Sequence, residues 1–111
     1  MSEKQKLLIV DDSELNRDIL KEILGSRYDY MEAENGTQAI QILEVHPEID
    51  LMLLDINMPQ MNGFQVLEHM RELQWIDEVP VVMISSEESV EIMRKAYDLG
   101  ITDYISRPFD A

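Results

Sequence analysis

Four polar side chains that could bind a metal ion or a phosphoryl group directly follow short apolar runs. Asp11 and Asp12 follow the first run, Asp55 follows a second, and Ser85 follows a third. Carboxylates brought together repel one another unless they take up protons or bind a cation. Mg²⁺ prefers oxygen ligands and is usually held by one or two carboxylates together with a phosphate. The pattern therefore predicts a Mg²⁺ site, provided that the fold brings the three runs side by side.

The apolar runs, at residues 7–10, 51–54 and 81–84, are short and unbroken. Such runs are typical of strands that are covered on both faces, as in a parallel sheet. Weaker strand patterns lie at residues 28–32 and 103–106. With a helical segment between each strand and the next, the alternation predicts an α/β fold with a doubly wound five-stranded parallel sheet. Ligands of such sheets bind beyond the carboxyl ends of the strands, where the four polar residues lie.

Four segments between the predicted strands have the apolar spacing of amphipathic helices. Ser13 and Thr37 are predicted to begin the first two of them. Gly25 and Gly100 mark the ends of the first and fourth, and Pro47 follows the second.

Composition limits the function classes. At 111 residues, the chain is predicted to form one domain, residues 1–111. Its net charge of −14 argues against direct binding to nucleic acid or to an anionic membrane surface. It has no cysteine, and we expect His46 and His69 to lie on helix surfaces, so zinc and copper sites are disfavoured. Neither a membrane helix nor a signal peptide is recognisable, and a cytoplasmic location is expected.

Four blocks of this sequence resemble the receiver domains of bacterial response regulators, in matching order over residues 7–109. They are LLIVDDS at 7–13, LMLLDINMPQMNG at 51–63, VVMISS at 81–86 and DYISRPF at 103–109. The resemblance implies the flavodoxin-like strand order 2-1-3-4-5. It also implies a two-component phosphoacceptor switch that takes a phosphoryl group from a histidine kinase or phosphotransfer protein and acts on a downstream effector domain or protein. No enzyme activity is expected beyond self-phosphorylation and self-dephosphorylation.

The resemblance also implies roles for single residues. Asp55 is expected to be the phosphoacceptor. Asp12, Asp55 and the backbone carbonyl of Asn57 would bind Mg²⁺ directly, and Asp11 mainly through water. Asn57 and Glu87 match positions that tune dephosphorylation.

Three further positions are expected to contact the phosphoryl group or to respond to it. Ser85 would hydrogen-bond the phosphoryl group, and Tyr104 would move inward behind it. Arg107 stands where the family carries lysine, and its planar guanidinium is not interchangeable with an ammonium at a tight site.

Family members usually continue past the last strand into a fifth helix, whereas this sequence stops at Ala111. The expectation is a receiver domain truncated before that helix, with one sheet face covered by the first helix alone. An exposed apolar patch of this kind favours association. A homodimer through the uncovered face is therefore one expected form.

Three other functions compete with the switch. A degenerate receiver could act as a phosphorylation-independent interaction module, which Arg107 and the absent helix favour but the retained carboxylates oppose. A Mg²⁺ phosphohydrolase could use Asp55 as nucleophile, but Asn57 stands where such enzymes carry an acid, and an amide cannot deliver a proton. An FMN site would need a Ser-, Thr- and Gly-rich loop after the first strand, which the sequence lacks.

Overall fold

The computed structural model of the chain describes residues 4–86 and 89–106. Strands and helices alternate along these ranges, and a turn of 3-10 helix, Gly25–Arg27, follows the first α-helix. The strands are β1 (Gln5–Val10), β2 (Tyr28–Ala33), β3 (Leu51–Asp55), β4 (Val81–Ser85) and β5 (Asp103–Ser106). The helices are α1 (Glu14–Leu24), α2 (Gly36–Val45), α3 (Gly63–Glu72) and α4 (Val90–Asp98).

The five strands form one parallel sheet in the order β2-β1-β3-β4-β5. The order is the predicted one, and the doubly wound α/β fold is confirmed. Because successive side chains of a strand point to opposite faces, each unbroken apolar run supplies both layers of the core. The larger core cluster combines one face of the sheet with side chains of α2, α3 and α4. None of the helices in the described ranges has the length and apolar character needed to cross a bilayer.

The second face of the sheet packs against α1. Leu20 of α1 lies among Ile9, Leu53 and Ile84, which belong to the three central strands. Ile105, on the edge strand β5, is 42% exposed. The expected truncation before a fifth helix concerns chain beyond β5 and lies outside the described residues.

The first turns of α1 and α2 test the predicted helix starts. Ser13 caps α1 as predicted, and its Oγ accepts a hydrogen bond from the backbone N–H of Asn16 at 3.2 Å. The prediction for Thr37 is wrong, because α2 begins one residue earlier and Asn35 is its cap. The side chain of Asn35 accepts a hydrogen bond from the N–H of Gln38 at 2.8 Å. An Asn side chain satisfies a free N–H of the first turn well, so Asn competes strongly with Thr for the cap.

Helices α3 and α4 end in the same type of turn. The N–H of Trp75 donates to the carbonyl of Met70 at 2.8 Å, and the N–H of Ile101 donates to the carbonyl of Ala96 at 3.4 Å. These bonds define Schellman turns, in which the residue after the cap adopts a positive φ. That residue is Gly100 after α4, with φ 105°, but Gln74 after α3, with φ 63°. A side chain at positive φ is strained, so α3 has the less favourable ending.

Replacing Gln74 by glycine should therefore stabilise the fold. We expect the Gln74→Gly variant to raise the free energy of unfolding by about 0.5 to 1 kcal/mol, measured by urea denaturation. The matched control is Gly100→Ala, which should lower it by about 1 kcal/mol or more. A Cβ atom at Gly100 would also lie 2.9 Å from Cγ1 of Ile76. Loss of stability in Gln74→Gly would contradict this account of the turn.

A cluster of charged side chains links β1 to the residues just before β3, at the amino ends of these two strands. The Oε2 atom of Glu48 lies 3.1 Å from Nζ of Lys6 and 2.9 Å from Nδ1 of His46. The backbone N–H of Lys6 donates to the carboxylate of Asp50 at 2.8 Å. The hydrogen bond from His46 is the largest cause that lowers the pKa of Glu48 from 4.5 to about 2. The ionised form of Glu48 therefore favours the folded chain.

This contribution to stability should be complete above pH 4.5 and should disappear as the pH falls from 4.5 towards 2. The Glu48→Gln variant should accordingly be less stable than the wild-type chain at neutral pH, and the difference should shrink through that range. Urea denaturation at a series of pH values measures the difference. Glu44→Gln, at an exposed position on α2, is the matched control. A difference that does not depend on pH would contradict the assignment.

Candidate metal centre

Three carboxylates meet at the carboxyl ends of β1 and β3. Val10 pairs with Leu54 in the sheet, so the following residues, Asp11 and Asp55, lie at the same level on neighbouring strands. The carboxylates of Asp11, Asp12 and Asp55 each offer an oxygen atom, and these atoms lie within 4.8 Å of one another. Asp11 and Asp55 are buried and Asp12 is exposed, so the group opens to solvent on one side. We refer to these three residues as the acid cluster.

Local hydrogen bonds hold the backbone and side chain of Asp11. Its N–H donates to the carbonyl of Ala33 on β2 at 3.1 Å. Its Oδ1 accepts from the N–H of Ser13 at 2.9 Å, and its carbonyl accepts from Nη1 of Arg17 at 2.6 Å. Since Ser13 also caps α1, the strand, the turn and the helix meet at Asp11. The sequence Asp-Asp-Ser thus places two carboxylates at the strand end and begins the helix that covers one sheet face.

Helix capping alone does not account for three carboxylates here. An N-cap contributes about 1 kcal/mol. Two ionised carboxylates within 4.8 Å repel each other by roughly 3 to 4 kcal/mol at an effective dielectric constant near 20. Burial of Asp11 and Asp55 also removes water that would screen their charges. An all-oxygen donor set with one solvent-facing side suits Mg²⁺, which keeps several waters. Asp11, Asp12 and Asp55 therefore fit the predicted ion.

The loop after Asp55 folds tightly against the sheet. The N–H of Gly63 donates to the carbonyl of Ile56 at 2.8 Å, and a Cβ atom at Gly63 would clash with the carbonyl oxygen of Asp55. The N–H of Gly36 donates to the carbonyl of Met61 at 3.1 Å, which joins the loop to the start of α2. Asn57 lies in this loop and is exposed. Only glycine can occupy position 63 without displacing the strand that carries Asp55.

Two of the other predicted residues lie on the neighbouring strands. Ser85 is the last residue of β4 and is buried, and since Asp55 pairs with Ile84, Ser85 lies one residue further along the sheet edge. Tyr104 on β5 pairs with Met83 and is 8% exposed, so its ring already occupies an inward position in the larger core cluster.

The other residues predicted from the sequence lie outside the described residues or away from the acid cluster. Arg107 and Glu87 lie outside the described residues. His69 is exposed on α3, whereas His46 follows α2 as its C-terminal cap and is partly exposed. Within the described ranges, the group of His, Asp and Glu side chains able to hold a metal ion is the acid cluster.

Sequence reasoning missed Arg17 and Glu32, which contact each other beside the acid cluster. Nε of Arg17 lies 2.8 Å from Oε1 of Glu32, and Arg17 is buried. A signal was present in the sequence, because Arg17 shares a helical face with Leu20, which packs on the sheet. A cation on the buried face of an amphipathic helix requires an acidic partner.

Comparison with known proteins identifies the family of this fold. The family model of the response regulator receiver domain matches residues 7–111. The chemotaxis protein CheY1 of Helicobacter pylori is 36% identical over 106 residues, which cover 94% of this chain and 86% of that protein. The two-component response regulator ORR3 of rice, Oryza sativa subsp. indica, is 31% identical over 103 residues, 92% of this chain and 79% of the relative. This chain belongs to the response regulator receiver domains.

A solved structure supports the same assignment. The complex of CheX with CheY, BeF₃ and Mg²⁺ from Borrelia burgdorferi contains a chain that superposes with a TM-score of 0.88 at 30% identity. The match covers 96% of this chain and 80% of that one. Receiver domains bind Mg²⁺ at a cluster of aspartates, and the acid cluster is that cluster here.

Mg²⁺ should therefore raise the melting temperature, because it binds the folded cluster and relieves the repulsion. At ten times the dissociation constant, binding adds about 1.4 kcal/mol, which corresponds to roughly 5 °C or more for a domain of this size. Circular dichroism with and without Mg²⁺ at constant ionic strength measures the shift. The Asp12→Asn variant should shift less and, without metal, should melt above the wild-type chain. An unchanged melting temperature at roughly 10 mM Mg²⁺ would contradict the metal site.

Proposed function

We propose that this chain is the phosphoacceptor switch of a two-component system and that Asp55 receives the phosphoryl group from a histidine kinase or phosphotransfer protein. The observation that carries the proposal is the position of the Asp55 carboxylate. It ends β3, is 5% exposed, and lies within 4.8 Å of two further carboxylates. The nucleophile thus sits in an oxygen-rich site at the sheet edge where such folds bind ligands.

In the proposed reaction, a carboxylate oxygen of Asp55 attacks the phosphorus atom of a phosphohistidine. The new O–P bond forms as the P–N bond breaks, and the imidazole nitrogen keeps the electron pair. The product on this chain is an acyl phosphate. Asp11, Asp12, Asp55 and the backbone carbonyl of Asn57 would hold Mg²⁺. When bound, the ion neutralises the charge that develops on the phosphoryl oxygens.

Ser85 and Tyr104 are proposed to relay the modification. The buried hydroxyl of Ser85 would donate a hydrogen bond to a phosphoryl oxygen, which pulls the end of β4 towards Asp55. Ser85 pairs with Ser106 on β5, two residues beyond Tyr104, and through this pairing a movement of the strand end would be transmitted to the tyrosine. The inward Tyr104 of this structure would be the state that phosphorylation favours, in exchange with an outward one. Arg107, directly after β5, would pair with the phosphoryl group.

We propose that the chain phosphorylates and dephosphorylates only itself and does not turn over a separate substrate. Asn57 provides no proton for a leaving group, so turnover of a separate phosphate ester is not expected. Hydrolysis of the acyl phosphate would reset the switch, and Asn57 and Glu87 would tune its rate. The modified surface would bind an effector domain or protein in the cytoplasm. The net charge of −14 disfavours a direct contact with nucleic acid or an anionic membrane surface.

Mass spectrometry of the intact protein tests the phosphoacceptor directly. Incubation with acetyl phosphate and Mg²⁺ should add one phosphoryl group, about 80 Da. The adduct should be absent with EDTA and in the Asp55→Asn variant. It should persist in the matched control Asp77→Asn, which removes an exposed carboxylate from the segment between α3 and β4. An adduct on Asp55→Asn would refute the assignment, and no adduct on the wild-type chain would favour an interaction module without phosphorylation.

A further inference from the structure

Arg17 is a buried cation that contacts the backbone between two residues of the acid cluster. Its Nη1 donates to the carbonyl of Asp11 at 2.6 Å, and its Nε donates to Oε1 of Glu32 at 2.8 Å. Because a guanidinium is planar and rigid, two bonds through different nitrogens fix its orientation as well as its position. Arg17 is thereby held between α1, the end of β1 and the edge strand β2.

Glu32 is fixed on both of its oxygens. Its Oε2 lies 2.9 Å from Nζ of Lys21, while Oε1 binds Arg17. The hydrogen bond from Lys21 is the largest cause that lowers the pKa of Glu32, and the bond from Arg17 lowers it further. Glu32 is therefore an ionised acceptor at neutral pH. Lys21 is more exposed than Arg17, and its ammonium contacts the carboxylates of Glu32 and Asp18, whereas Arg17 contacts Glu32 and the backbone of Asp11, so the two cations of this network are not equivalent.

The bond to the Asp11 carbonyl bears on the geometry of the acid cluster. That carbonyl belongs to the peptide between Asp11 and Asp12. The orientation of this peptide therefore sets the position of the exposed Asp12 carboxylate. On the other side of Asp11, its N–H donates to Ala33, which follows Glu32 on β2. These two hydrogen bonds of the Asp11 backbone therefore both depend on β2. The N–H of Asp11 binds Ala33 directly, and its carbonyl binds Arg17, which Glu32 holds in place.

We propose that Arg17 is a positioning residue for the Mg²⁺ site and that it acts through the Asp11 carbonyl, with Glu32 acting through Arg17. The inference rests on the proposed function, since it concerns the ion that the acid cluster would hold. It assigns to β2, which supplies no carboxylate to the cluster, a part in setting the affinity for the ion.

Positioning and simple electrostatics predict opposite effects for Arg17. A nearby positive charge repels a divalent cation, so its removal should strengthen Mg²⁺ binding if charge alone matters. If Arg17 positions the Asp11 peptide, its removal should weaken binding despite the lower positive charge. Replacement by lysine keeps the charge but removes the fork that contacts Glu32 and Asp11 together, so positioning predicts weaker binding and electrostatics predicts no change.

Titration of the ¹⁵N-labelled full chain with Mg²⁺, followed through the amide signals of the cluster, measures affinity and reports the fold at the same time. We expect Arg17→Gln and Arg17→Lys to weaken binding about tenfold, as is typical when the support of a metal ligand is lost. Glu32→Gln should weaken binding in the wild-type background but should have no further effect together with Arg17→Gln. Arg94→Gln, which removes an exposed arginine from α4, is the matched control, and we expect its affinity to change by less than about twofold.

The outcomes separate the two proposals. Wild-type chain without any response to Mg²⁺ would overturn the metal site of the proposed function and, with it, this inference. Wild-type binding with equal or tighter binding by both Arg17 variants would overturn the inference and leave the proposed function intact. If Arg17→Gln does not fold, Arg17→Lys decides, because unchanged affinity in that variant overturns the positioning role and weaker affinity supports it.

Discussion

Repulsion among Asp11, Asp12 and Asp55 is the constraint around which the rest of the site is arranged. Parallel pairing of β1 and β3 brings the three carboxylates within 4.8 Å of one another, and two of them are buried. The fold offsets part of this cost locally, with donors to Asp11 from the backbone of Ser13 and from the side chain of Arg17. Of these two donors, only Ser13 reaches the Asp11 carboxylate itself, since Arg17 binds the backbone carbonyl, and a divalent cation bound between the three carboxylates offsets much more of the repulsion. The apo fold is therefore less favourable than the same fold with the cluster neutralised, and that difference couples the site to its ligands.

The same arrangement explains which features the sequence allowed us to predict. Unbroken apolar runs identified β1, β3 and β4, and parallel pairing then required their carboxyl ends to meet, so the acid cluster followed from the fold class. The apolar sequence patterns of β2 and β5 are weaker, because these edge strands have a neighbouring strand on one side only and are less completely buried. The bounds of β5 were nonetheless predicted, while β2 extends one residue further, to Ala33.

Features that depend on contacts between distant segments were not predictable in this way. The pairing of Arg17 with Glu32 joins a helix to an edge strand, and local propensity carries no information about it. The choice of Asn35 over Thr37 as a cap depends on where the chain leaves β2. The strained Gln74 departs from the usual glycine of its turn, although the equivalent turn after α4 follows the rule with Gly100. These departures reflect tertiary packing that overrides local preference.

The chain order of the elements also bears on how the site assembles during folding. Asp11, Asp12, Arg17 and Glu32 all belong to the first strand–helix–strand unit, from β1 to β2. That unit contains the hydrogen bonds that join Asp11 to Ser13, Arg17 and Ala33, so a nascent chain can form them before β3 has left the ribosome. The third carboxylate arrives only when β3 docks beside β1, and the repulsion is therefore concentrated in that one late step. Divalent ions present at that moment would lower the cost of docking, which makes the central strand pairing of this domain sensitive to the ionic composition of its surroundings.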